Sequence, residues 1–63
     1  MIVPFWARVV TPTWVGRFEV SCHGIITFCP PITSRWKGRK FEDLLDALKV
    51  GESLVEMQMY PNE

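Results

Sequence analysis

Polar and apolar residues alternate along 15–22, Val-Gly-Arg-Phe-Glu-Val-Ser-Cys. Phe18, Val20 and Cys22 fall on one side, and Arg17, Glu19 and Ser21 on the other. That period of two predicts a strand with one buried and one wet face. Residues 5–10, Phe-Trp-Ala-Arg-Val-Val, are aromatic and β-branched and predict a first strand. Thr11-Pro12-Thr13 interrupts the run. His23-Gly24 separates residues 15–22 from Ile25-Ile26-Thr27-Phe28, which predicts a hairpin with a two-residue loop. Gly24 is expected to take a positive φ there, and His23 is a residue type that tolerates one. Pro30-Pro31 ends the third strand. Residues 32–40 carry no period and are expected to form an irregular loop.

The period then changes. Phe41, Leu44, Leu45 and Leu48 lie at i, i+3, i+4 and i+7, the apolar stripe of a helix. Glu42 and Asp43 suit its first turn, Lys49 its last, and Gly51 its C-cap. Residues 53–60, Ser-Leu-Val-Glu-Met-Gln-Met-Tyr, alternate again, with Val55, Met57 and Met59 on one face. The order is β-β-β-α-β. It predicts a single α+β domain over 1–63, a small antiparallel sheet of three to four strands with one helix.

Size turns this architecture into an argument about association. A 63-residue domain buries only about 60% of the surface its unfolded chain exposes. Yet 48% of the residues are hydrophobic, including three Trp and four Phe. Some must lie on the surface, where a patch marks an interface, and a homo-oligomer is expected. The other stabilisers of small domains are less suited. Cys22 and Cys29 could pair across a hairpin, but Met1-Ile2-Val3-Pro4 does not resemble a signal peptide, and reduced thiols are expected. Cys22, His23 and Cys29 are too few for a metal site, so no cofactor is expected. No apolar run approaches a membrane span.

Net charge is zero, with seven basic and seven acidic residues, unlike a general nucleic-acid binder. The basic residues are not spread along the strands as a duplex-reading β-ribbon would need. Instead Arg35, Lys37, Arg39 and Lys40 cluster around Trp36 and Gly38, and acidic residues follow. At the start of a helix, such a cluster suits an anion. Backbone N–H groups converge there, and Arg can fork two hydrogen bonds onto a phosphate. Trp36 could stack on a base, or could simply cover a small core. Trp14 and Trp6 carry the same two readings. Arg8 and Arg17 lie on strands, and strand pairing decides whether they share a face. The ligand-binding candidates are therefore Trp14, Arg17, Arg35, Trp36, Arg39 and Arg8.

Catalysis is not expected. A Cys–His nucleophile needs an orienting third group and a closed pocket, and His23 sits at a turn. Glu42, Asp43 and Asp46 read as the solvated face of the helix.

Thr11-Pro12-Thr13-Trp14-Val15-Gly16, then Val20, His23-Gly24, Ile26, Cys29-Pro30-Pro31-Ile32, Arg35-Trp36 and Gly38, resemble a group of very short phage-associated proteins. The outline covers residues 8–48. The chain departs from it at Val15 and Cys29, where Ala is usual before Gly16 and Pro30. Its acidic segment 52–63 is also longer than the outline ends. The resemblance implies phage counter-defence in the host bacterial cytoplasm. Some tiny phage proteins look like nucleotide sponges, and the resemblance suggests that role here: a homo-oligomer that sequesters a signal such as an ADP-ribose derivative or a cyclic nucleotide without cleaving it. The alternative is a small protein–protein inhibitor that caps a host defence or metabolic enzyme through exposed Trp, Met and Arg hot spots.

Overall fold

The computed structural model describes residues 2–51 and 54–61. Its strands are β1 (Phe5–Val10), β2 (Val15–Val20), β3 (Ile26–Phe28) and β4 (Glu56–Pro61). A 3₁₀ segment, Pro31–Trp36, and one helix, α1 (Phe41–Val50), lie between β3 and β4. The sheet is antiparallel in the order β3-β2-β1-β4. This is the α+β arrangement that the alternating and helical periods predict.

Cross-strand register sorts the side chains. Phe5, Ala7 and Val9 stand opposite Val20, Phe18 and Gly16 on β2 and Pro61, Met59 and Met57 on β4. Their shared face is the inner one. It carries the buried Ala7, Val9, Phe18, Val20 and Ile26, against which α1 lays Phe41, Leu44 and Leu48. Leu45, on the edge of the helical stripe, is half-buried. Phe41 meets Phe5 edge-on at 5.5 Å between ring centroids and Phe18 at 6.2 Å. The outer face carries Trp6, Arg8, Arg17, Glu19, Gln58 and Tyr60, with no helix over it.

Several local expectations change. β2 ends at Val20, not Cys22, because Ser21 turns the chain. Its hydroxyl accepts from the His23 and Ile25 N–H groups, and its carbonyl accepts from Gly24 N–H. The turn is thus wider than two residues. Gly24 takes the expected positive φ of 78°, whereas His23 does not. Pro31–Trp36 is wound into a 3₁₀ segment rather than an irregular loop, with Pro at its start, where a missing N–H costs nothing. Thr33 is buried within it, its hydroxyl donating to Pro30 O. Gly51 caps α1 as expected but stays right-handed, its N–H bonded to Ala47 O. The last strand begins at Glu56, after Leu54 and Val55; position 53 lies outside the described residues.

The two sheet edges differ. Along β3, Ile26 N–H donates to Arg39 O, Gly38 N–H to Ile26 O, and Phe41 N–H to Gly24 O. Residues 38–41 therefore run beside the start of β3 and occupy the N–H and C=O of Ile26. Gly38, at φ 85°, makes the bend that returns the chain to β3. β4 pairs with β1 on one side, and its other side is an edge.

Cys22 and Cys29 are free thiols, and Cys29 Sγ donates to Thr33 O at 3.5 Å. Among the described residues no helix is long and apolar enough to cross a membrane. Apolar surplus does lie outside: Val3, Val15, Phe28, Ile32, Val50 and Val55 are all exposed.

Candidate functional site

The six candidate residues separate into two groups on opposite sides of the sheet. Trp14, Arg35 and Trp36 line a cavity of about 500 Å³ on the helix side. Arg39 joins Arg35 and Trp36 around an adjoining depression. Arg8 and Arg17 are direct cross-strand partners on the outer face.

The helix-side cleft is built from three segments. Trp14 comes from the connection between β1 and β2. Thr11, buried, holds it there: the Thr11 hydroxyl donates to Trp14 O at 3.0 Å and accepts from Trp14 N–H at 3.1 Å. The indole packs on the core at 5.8 Å from the Phe18 ring. Trp36 comes from the end of the 3₁₀ segment and is likewise half-buried against the core. Leu44, Ala47, Leu48 and Gly51 of α1 form the remaining wall. The lining is mixed: Thr13, Thr33 and Arg35 bring polar surface between the indoles and the aliphatic wall, and Arg35 is exposed at the rim. A concavity that joins aromatic walls to a few polar groups can hold a small molecule.

The expected helix-start contribution is absent from this cleft. The wall is the side and C-terminal end of α1, not its first turn. Three of the first donors are also occupied: Phe41 N–H bonds Gly24 O, and Asp43 and Leu44 N–H bond Lys40 O. The dipole at this end is negative, so an anion is favoured only at the Arg35–Arg39 end. The basic cluster divides accordingly. Lys40 borders a different depression with His23, Gly24 and Glu42.

The outer-face arginines are engaged locally. Arg8 Nη1 lies 3.7 Å from Glu56 Oε1, and Arg17 Nε lies 3.6 Å from Glu19 Oε2. Two cations directly opposed across strands repel, and each has an acidic neighbour to offset it. These pairs are about half exposed, so each contributes at most about 1 kcal/mol. The Arg17 guanidinium also sits 4.4 Å from the Trp6 ring centroid. Tyr60 stacks on Trp6 at 4.4 Å and 23°, and its hydroxyl donates to Gln58 Oε1. Trp6 is therefore one layer of a stack within the protein.

Thr13, Ile32 and Ala47 line the cleft without having been candidates. Thr13 adjoins Trp14, and Ala47 follows Leu44 by one helical turn, which are usable signals. Ile32 had none, because its place depends on the 3₁₀ segment. Among the described residues no group of three His, Cys, Asp or Glu side chains is placed to hold a metal ion.

A four-stranded antiparallel sheet with one helix makes this a small α+β domain. Comparison with protein-family models, with curated proteins and with solved structures finds no match to the chain.

Proposed function

We propose that this chain is a non-catalytic binding domain that sequesters a nucleotide-type signal in the Trp14–Trp36 cleft. The observation that carries the reading is the convergence of two tryptophans on one cavity with two arginines at one end. A flat base suits the slot between indoles and aliphatic walls, where stacking contributes about 1–3 kcal/mol per base. A pyrophosphate suits Arg35 and Arg39. The cavity of about 500 Å³ lies within the range of roughly 300–1,000 Å³ that small-molecule sites occupy. Sequestration asks for no reacting group, only for a slow off-rate. The resemblance to short phage proteins supports the same reading and suggests ADP-ribose derivatives or cyclic nucleotides.

Isothermal titration against ADP-ribose and cyclic dinucleotides, at about 100 μM protein so that micromolar binding is resolved, tests the proposal. Heat is expected with at least one of them. Silence with all of them sinks it.

The second reading, an inhibitor of a host protein, draws on Ile32. It stands on the cleft rim and is 68% exposed, as an anchor for a protein partner would be. Recovery of one stoichiometric host protein in a pull-down, with no nucleotide heat, would select it.

A further inference from the structure

The two edges of the sheet are treated differently, and the difference points to a partner. The start of the β3 edge, at Ile26, is covered by residues 38–41 of the same chain. β4 offers six residues of strand, and among the described residues its second side is open. Which backbone groups face outward follows from the ladder. Thr11 N–H donates to Trp14 O on the β2 side. Alternation along β1 then turns Val9, Ala7 and Phe5 toward β2, and Val10, Arg8 and Trp6 toward β4. The partners of the latter three are Glu56, Gln58 and Tyr60, which point back into the sheet. Met57 and Met59 are left with their N–H and C=O groups on the open edge. Pro61 shares their parity and has no N–H to expose, as fits an edge strand.

We infer that β4 is the homodimer interface of this protein, pairing antiparallel with β4 of a second copy about a two-fold axis at Gln58. The outward groups have the symmetry this requires. Met57 and Met59 flank Gln58 evenly, so Met57 exchanges hydrogen bonds with the partner's Met59, and Met59 with the partner's Met57. No donor is needed beyond them, where Pro61 has none. The register also suits the side chains. Glu56 meets the partner's Tyr60, and no like charges face each other. Glu56 already has Arg8 as its counter-ion within the chain. Just before β4, Val55, 63% exposed and with its N–H bonded to Val10 O, comes near the partner's Pro61. There it meets an apolar cavity of about 420 Å³ lined by Ile2, Val3, Phe5, Met59 and Tyr60. Met59, 55% exposed, gains a methionine neighbour across the axis. The two sheets become one of eight strands, with α1 and its copy on the same side. A peptide strand from an unrelated protein could use the same backbone groups, but nothing would require it to centre on Gln58.

Sedimentation equilibrium of the full chain, with two variants, tests the inference. The wild type is expected to be a dimer. Met59→Lys, a charge at a half-exposed edge position, is expected to raise the dimer Kd at least about tenfold with an unchanged circular dichroism spectrum. Gln58→Cys, in a Cys22→Ser/Cys29→Ser background, reads the register directly. Gln58 and the partner's Gln58 form a non-hydrogen-bonded pair, with Cα atoms about 4.5 Å apart, within disulfide reach. Mild oxidation is expected to convert the variant to a covalent dimer linked at that position. A monomer at all concentrations up to roughly 1 mM would overturn the inference. So would a dimer that Met59→Lys leaves intact and Gln58→Cys does not cross-link.

Discussion

The Pro30 ring packs against the backbone of Gly16 so closely that a methyl group at position 16 would overlap Pro30 Cγ. Gly16 stands on the inner face opposite Val9, and Pro30 leads into the 3₁₀ segment that carries Trp36. This approach seats one end of the cleft on the sheet. Gly16→Ala is expected to cost about 1–3 kcal/mol, the range of overpacking, read from urea denaturation. Pro30→Ala in the same chain should return part of the loss, because it removes the atoms that clash. If the two changes simply add, the contact is not the cause.

Thr11 is a second clamp on the site. Thr11→Val keeps the volume but strips the hydroxyl that bridges Trp14 N–H and C=O. Trp14 O keeps its bond from Thr11 N–H, so the expected cost is that of the lost hydroxyl bonds, about 1 kcal/mol, with a shift in tryptophan emission as Trp14 loosens. Unchanged stability and emission would count against this role.

On the outer face, the Arg17–Trp6 contact is open to a double-mutant cycle. Arg17→Ala, Trp6→Ala and the double variant are expected to give a coupling of about 0.5–1 kcal/mol, the value for an exposed cation–π pair. Added salt should weaken the Arg17–Glu19 pair. A coupling indistinguishable from zero would mean that the stack is a geometric coincidence.

Burial ranks the core substitutions. Phe18 is fully buried and touches both Trp14 and Phe41. Phe18→Ala is expected to lose about 3–5 kcal/mol. A core this small supplies about the same in total, so the variant should be unfolded by circular dichroism at 25 °C. Val50, 90% exposed at the end of α1, should tolerate Ala within about 0.5 kcal/mol.

The division of the arginines gives a test of the proposed site. Once a ligand gives heat, Arg35→Ala and Trp36→Ala should each weaken it at least about tenfold, the loss of one charged or stacking contact. Arg8→Ala, on the far side of the sheet, should change it by less than about twofold, as for a surface change away from the site. Equal effects would place the ligand elsewhere.

What could be read beforehand was what depends on local period. Phe18 and Val20 facing inward, and Phe41, Leu44 and Leu48 as the buried stripe, follow from spacing alone. Pairing order did not, and with it went the placement of Arg8 and Arg17, which hinges on register with β2 and β4. The 3₁₀ segment was missed because six residues at three per turn leave little amphipathic signal. Only Pro31 marked it. The basic run 35–40 looked like one cluster, yet the bend at Gly38 sends Arg35 toward the cleft and Lys40 toward His23. Trp14 and Trp36 stood out individually. Their meeting rests on the Gly16–Pro30 contact, which joins residues far apart in sequence.

The strand order also sets a sequence of events in time. β1 and β2 are joined by a short connection, so their hairpin closes early and at little entropic cost. β4 must return across the whole of β2, β3 and α1 to reach β1, and it touches the sheet on that side alone. Within a single chain it is therefore expected to dock last and, until a second copy pairs with it, to exchange its amide hydrogens early. Protection of the Gln58 amide reports how long a completed sheet survives before it opens.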